Sequence, residues 1–81
     1  MEEPTMTEAT ATINMPTLRK NDTGLAVKIL QKLLNCYGYG LKVDGILGPK
    51  TEAAVKNFQK NYKLTVDGIV GPKTYNALAD N

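Results

Sequence analysis

The chain has 81 residues, which allows one domain at most, and a domain this small buries a limited core. It contains no histidine, serine or tryptophan and a single cysteine, Cys36. These absences exclude a Ser-His triad, a histidine-activated thiol, an internal disulfide and the usual tetrahedral zinc site, and we expect no cofactor and no metal.

Positive charge is concentrated after residue 16. The net charge of the chain is +2, but residues 17–81 hold all ten basic residues and five of the eight acids, which gives 10 − 5 = +5. Such a balance fits a polyanionic partner, although lysines at helical spacing are more simply the solvated faces of helices. No helix gathers Arg, Asn and Gln to read base edges, so we expect no nucleic-acid partner.

Residues 1–16 are predicted to form a flexible N-terminal tail, followed by one domain at 17–81. The first segment holds three acids and few sizeable apolar side chains, so it cannot contribute much to a core. Its acidic start lacks the apolar region of a signal peptide. Since no apolar run approaches the ~20 residues of a membrane span, we expect no membrane partner.

The first predicted helix begins after a left-handed Asn21, with Asp22 or Thr23 as its N-cap. Gly38 and Gly40 are predicted to end it. Apolar residues recur at helical spacing along one face of this segment: Val27, Leu30, Leu34 and Tyr37.

A fifteen-residue segment then occurs twice. Residues 41–55 (LKVDGILGPKTEAAV) and 64–78 (LTVDGIVGPKTYNAL) are identical at ten of fifteen positions, at an offset of 23. The helix before each copy also repeats, but at an offset of 28, so the first unit carries five extra residues around the sequence CYGYG. A hairpin at Asp-Gly is rejected because Gly-Pro, which favours a helix start, follows too soon.

The two units predict an all-α fold, a compact three-helix bundle built from two helix-plus-loop repeats. Each unit exposes an apolar face that only the other can cover. Ten further side chains are predicted to turn inward. They lie on the second helix (Ala54, Val55, Phe58 and Tyr62), in the two loops (Ile46, Leu47, Ile69 and Val70) and on the third helix (Tyr75 and Leu78).

The repeated Asp-Gly pair is interpreted first as a structural device. Asp44 and Asp67 can each accept hydrogen bonds from backbone N–H groups of the next turn, while the following glycine supplies a positive φ. Gln31 and Gln59 are expected to hydrogen-bond loop backbone. The loops lack the acids of a calcium-binding EF-hand, and each aspartate is expected to serve its own loop, so no glycosidase is predicted.

The order and spacing of these motifs resemble the peptidoglycan-binding-like domain, a small three-helix module of bacterial cell-wall hydrolases. The resemblance covers residues 18–79, with departures at Asn21 and Tyr75. It is carried by the following pattern: Val27-x-x-Leu30-Gln31-x-x-Leu34, Gly38-Tyr39, Val43-Asp44-Gly45-Ile46-x-Gly48-x-x-Thr51-x-x-Ala54-Val55-x-x-Phe58-Gln59 and Leu64-x-x-Asp67-Gly68-x-x-Gly71-x-x-Thr74-x-x-x-Leu78.

The resemblance implies a non-catalytic module that anchors a partner, such as a cell-wall hydrolase, to peptidoglycan in the cell wall or periplasm. Its ligand would be a stem peptide with nearby glycan, bound in a shallow groove near the inter-helix loops. The alternative is a structural or protein-interaction module of the same fold that has lost wall binding.

The candidate ligand-binding residues offer flat rings with polar tips, a cation for a stem-peptide carboxylate, an amide and the two loop acids. Tyr39 is the leading candidate, whereas Tyr37 fits a core position better than a ligand-facing one. The full set is Tyr37, Tyr39, Lys42, Asp44, Asp67, Tyr75 and Asn76.

Overall fold

The computed structural model of the protein describes residues 16–80, except for the side chain of Asp80. Within that range the chain forms three helices, α1 (Leu25–Cys36), α2 (Pro49–Asn61) and α3 (Pro72–Asp80), which confirms the all-α prediction. The predicted tail, residues 1–16, lies outside the described residues except for Pro16, and it stays a prediction.

The core lies where α1 contacts both other helices. Both loops add a fully buried side chain, so each repeat closes over the apolar face of the other. Full burial of one such side chain contributes about 1.5–3 kcal/mol. The core residues are Leu18, Val27, Leu30, Leu34, Leu47, Ala54, Val55, Phe58, Val70, Tyr75 and Leu78.

An N-terminal strap, residues 16–24, joins the loops of the two repeats. Leu18 forms an antiparallel bridge with Val70 of the second loop, through N–H···O bonds of 3.1 and 2.8 Å. Asn21 donates its N–H to the carbonyl of Leu47 in the first loop, and Leu47 donates to the carbonyl of Asp22. The strap therefore fixes both loops to one extended segment.

The strap also changes how α1 begins. The predicted caps, Asp22 and Thr23, are wrong, because Gly24 is the N-cap and no side chain caps the helix. The Asp22 carboxylate instead accepts the backbone N–H of Arg19, and Thr23 pairs with the first loop. Asn21 does adopt the predicted left-handed backbone, with φ of 81°.

Two predicted inward side chains lie largely outside the core. Ile46 is 51% exposed while its neighbour Leu47 is fully buried, because adjacent residues of an extended segment point in opposite directions. Tyr62 is 40% exposed at the end of α2, where its ring stacks on Phe58 with centroids 4.3 Å apart.

The two repeats place different residues at one left-handed position before the loop. Gly40 has φ of 64°, and its counterpart 23 residues later, Lys63, has φ of 60°. A side chain in this region costs roughly 1–2 kcal/mol, partly offset by the greater unfolded-state entropy of glycine.

We expect Lys63→Gly to raise the free energy of unfolding by about 0.5 kcal/mol, because it relieves this conformation. Gly40→Ala should lower it by about 1 kcal/mol, since a Cβ there meets open space and the cost is conformational alone. Urea denaturation followed by circular dichroism measures both changes. A destabilised Lys63→Gly variant would contradict the assignment of strain.

Candidate ligand-binding site

A buried glutamine organises the first loop. Gln31 is 1% exposed. Its Nε2 lies 3.0 Å from Asp44 Oδ1, 3.1 Å from the carbonyl oxygen of Ile46 and 3.1 Å from Thr51 Oγ1. Its Oε1 accepts the N–H of Gly45 at 2.9 Å. One amide thus joins α1, the loop and the first turn of α2.

The second loop has the same arrangement around Gln59, which lies 28 residues after Gln31 and bonds to loop residues 23 positions further on. Gln59 Nε2 lies 3.0 Å from Asp67 Oδ1, 3.0 Å from the Ile69 carbonyl and 3.3 Å from Thr74 Oγ1, and its Oε1 accepts the N–H of Gly68 at 3.0 Å. We call each set a glutamine clamp. The predicted bonds from both glutamines to loop backbone are present, whereas the threonine partners were not predicted.

The two loop carboxylates act first as hydrogen-bond acceptors. Asp44 Oδ1 accepts the N–H of Ile46 at 3.0 Å, as predicted, and Asp67 Oδ1 accepts that of Ile69 at 2.9 Å. The Gln31 amide and then the Ile46 N–H hold the pKa of Asp44 below its ordinary value. For Asp67 the Ile69 N–H lowers the pKa most. Both side chains are therefore carboxylates at neutral pH.

A groove of about 1050 Å³ lies between the first loop and the start of α2, and we call it the first groove. It combines an aromatic ring, two lysines, one carboxylate and several small apolar side chains. Tyr39 donates its hydroxyl to Asn57 Oδ1 at 2.9 Å, which ties the ring to α2. The groove is lined by Tyr39, Gly40, Leu41, Lys42, Asp44, Ile46, Gly48, Pro49, Lys50, Thr51, Ala53, Ala54 and Asn57.

The five extra residues of the first unit build the aromatic wall of this groove. Gly38 and Gly40 reverse the chain in left-handed conformations on either side of Tyr39. Asn35 then fixes the returning segment, because its side chain donates to the Leu41 carbonyl at 2.8 Å and accepts the Leu41 N–H. Asn57 was missed from the sequence, and the only available signal was that a tyrosine hydroxyl needs a partner.

A smaller groove of about 540 Å³, the second groove, lies at the equivalent place in the second repeat. Nine of its ten lining residues stand 23 positions after lining residues of the first groove, and none of the ten is aromatic. The nine are Lys63, Leu64, Thr65, Asp67, Ile69, Gly71, Pro72, Lys73 and Thr74.

The structure brings together three of the predicted site residues. Tyr39, Lys42 and Asp44 line the first groove, and Asp67 lines the second. Asn76 is exposed on α3 but lines neither groove. The larger first groove therefore holds the main cluster of candidates.

Two predicted tyrosines are engaged in the fold. Tyr75 is 4% exposed and donates its hydroxyl to the Pro16 carbonyl at 2.7 Å, so the prediction that it turns inward is confirmed and the prediction that its ring contacts a ligand is wrong. Burial also raises the pKa of the Tyr75 phenol. Tyr37 is half-buried, donates to the Leu78 carbonyl at 2.6 Å and meets the edge of Phe58, which agrees with its alternative assignment to the core.

Among residues 16–80, no helix is long and apolar enough to cross a membrane. The same part of the chain contains no group of three or more His, Cys, Asp or Glu side chains placed to hold a metal ion.

Two helix-plus-loop repeats with a groove beside each loop define a small repeat-built binding module. Comparison with known proteins identifies the kind of module. Residues 23–78 match the family described as putative peptidoglycan binding domain, and the chain belongs to that family. This membership confirms the predicted resemblance, and the family supports the predicted class, a non-catalytic wall-binding module.

Solved structures show the same fold. A peptidoglycan-binding protein from Clostridioides difficile is 42% identical, with a TM-score of 0.77 over 79% of this chain and 40% of that protein. The Burkholderia AP3 phage endolysin is 44% identical, with a TM-score of 0.77 over 79% of this chain and 25% of that one. The SleB N-terminal domain is 36% identical, with a TM-score of 0.79 over 84% and 94%. The chain thus spans less than half of the first two proteins.

We expect Gln31→Ala or Gln59→Ala to lower the free energy of unfolding by about 2–4 kcal/mol, because each leaves buried loop groups without their partners. Chemical denaturation measures the loss. Gln31→Met, which keeps most of the side-chain volume, should be destabilised almost as much. A Gln31→Met protein as stable as the wild type would show that the clamp bonds contribute little.

The loop carboxylates also predict how stability depends on pH. Because their folded-state pKa values are depressed, their contribution is present above the unfolded-state pKa of about 4 and is lost as pH falls through the folded-state values. Asp44→Asn/Asp67→Asn keeps the acceptor oxygens but cannot titrate, so it should lose less stability than the wild type between pH 5 and pH ~2.5. Parallel pH profiles from urea denaturation would rule out the two carboxylates as the cause.

Proposed function

We propose that the chain is a non-catalytic module that holds a partner protein or assembly on peptidoglycan, with the first groove as its binding site. Its membership in the peptidoglycan-binding family is the observation that carries the proposal. An endolysin among its structural relatives supports a cell-wall hydrolase as the kind of partner. The ligand in this proposal is a stem peptide together with neighbouring glycan.

The walls of the first groove suit such a ligand. The Tyr39 ring is half-buried and held at its tip by Asn57, so it can stack against a sugar or a peptide without first being ordered. Ala53, Ala54 and Ile46 offer small apolar contacts for alanine methyl groups. Such a mixture of apolar walls with few polar groups is typical of ligand grooves.

The charge of the first groove favours a carboxylate. Lys42 and Lys50 line it with Asp44, which gives a formal charge of 2 − 1 = +1. The Asp44 charge is already shared with two N–H donors, from Gln31 and Ile46, whereas a lysine can form a charge-assisted hydrogen bond with a stem-peptide carboxylate.

The same carboxylates support the non-catalytic assignment. A glycosidase of the usual kind needs two acids on either side of one bond, with a raised pKa on the acid catalyst. Asp44 and Asp67 line different grooves, and both have lowered pKa values. We therefore expect no clearing of cell walls and no new reducing ends when the chain is incubated with peptidoglycan.

We expect Tyr39→Ala to weaken sedimentation with insoluble peptidoglycan about 5- to 10-fold. This factor corresponds to the loss of roughly 1–1.4 kcal/mol of binding free energy from one ring contact. Tyr39→Phe should stay close to the wild type because it keeps the ring. Tyr62→Ala is the matched control, since it removes a partly exposed tyrosine that lines neither groove. Circular dichroism at the assay temperature confirms that each variant is folded.

The outcomes separate the site from the function. If Tyr39→Ala and Tyr62→Ala sediment alike, the first groove is not the binding site, although wall binding stands. If the wild-type chain stays in the supernatant with several types of cell wall, the chain is better explained as a structural or protein-interaction module of this fold.

A further inference from the structure

The second groove is a near copy of the first at its floor, by which we mean the loop and helix-start residues held by each glutamine clamp. The clamp distances to Asp67, Ile69 and Thr74 agree with those to Asp44, Ile46 and Thr51 within 0.2 Å. A ligand that contacts the floor of one groove therefore meets the same loop shape in the other. The sequence conserves this shape between the repeats even though the walls differ.

The walls of the second groove lack the features suited to glycan. None of its lining residues is aromatic, and its volume is about half that of the first groove, 540 against 1050 Å³. Tyr62, which stands 23 residues after Tyr39, stacks on Phe58 instead of lining the groove. The second groove therefore offers less space than the first and no ring on which a sugar could stack.

Its charge nevertheless equals that of the first groove, through a different arrangement of lysines. Lys73 corresponds to Lys50, but Thr65 replaces Lys42, and Lys63 stands where the first groove has Gly40. The formal charge is again 2 − 1 = +1, from Lys63, Lys73 and Asp67. Compared with the first groove, the second therefore lacks a lysine at position 65 and has an additional lysine at position 63.

We propose that the second groove is a second binding site on this chain, which takes the carboxylate end of a stem peptide without its glycan. This inference rests on the proposed function, since it takes the ligand from the same polymer. Two sites of unequal strength would let one chain engage two strands of an insoluble wall, so that retention exceeds the affinity of either site alone.

The full chain, labelled with ¹⁵N, should be titrated with a soluble disaccharide-tetrapeptide. We expect amide shifts at residues 39–51 along one binding curve and at residues 67–74 along a second curve, at least threefold weaker. When the peptide carboxylates of this ligand are converted to amides, the amide signals of residues 67–74 should no longer shift. Retention of these shifts would show that the groove does not recognise a carboxylate.

Charge variants assign the second curve to its groove. Lys73→Glu should weaken the curve at residues 67–74 at least fivefold, leave that at residues 39–51 unchanged, and reduce retention on insoluble wall. Lys63→Gly should weaken the same curve without loss of folding. Lys32→Glu is the matched control, because Lys32 is exposed on α1 and lines neither groove.

The possible failures are distinguishable. Shifts confined to residues 39–57, with equal wall retention for Lys73→Glu and Lys32→Glu, would overturn the second site and leave the proposed function intact. No shifts at either groove, together with no sedimentation of the wild-type chain, would overturn both.

Discussion

The structure depends on two buried glutamine amides. A polar side chain inside so small a core is unfavourable unless its hydrogen bonds are made, and both Gln31 and Gln59 are fully bonded to the loop that follows their own helix. Each amide also reaches a threonine in the next helix, Thr51 or Thr74. Helix, loop and following helix therefore cannot move independently, and the grooves beside the loops are formed before any ligand arrives.

The clamp also explains why the loop sequence is written twice. The glycine after each aspartate directs its N–H to the glutamine, with φ of 76° at Gly45 and 73° at Gly68, and the Asp carboxylate closes the turn. Loss of the glutamine amide leaves its buried loop partners without their hydrogen bonds. The repeat is thus preserved where the clamp requires it, because all five differences between the two copies lie at positions outside the clamp.

The features that depend on local periodicity and on the repeat could be predicted from the sequence. The helices, the glycine-proline starts and the glutamine bonds to the loops were predicted because each depends on residues close to one another in a repeat. The N-cap of α1 and the outward orientation of Ile46 were not predicted, because pairing with the strap decides them, whereas Tyr75 was correctly predicted to turn inward. The strap pairs with residues far along the chain, as in the Leu18–Val70 bridge and the Tyr75–Pro16 hydrogen bond, and no local pattern encodes such pairs.

The candidate site was harder to predict than the fold for a related reason. Tyr39, Lys42 and Asp44 were predicted together and do line one groove, because they lie close in sequence. The opposite wall comes from α2, whose exposed Asn57 gave no signal of its own. The five residues that break the repeat produce this asymmetry. They give the first groove a ring anchored across to α2, whereas the second repeat, without them, leaves its tyrosine on Phe58. Duplication supplied two equivalent floors, and the short insertion made one of them a larger and more aromatic groove.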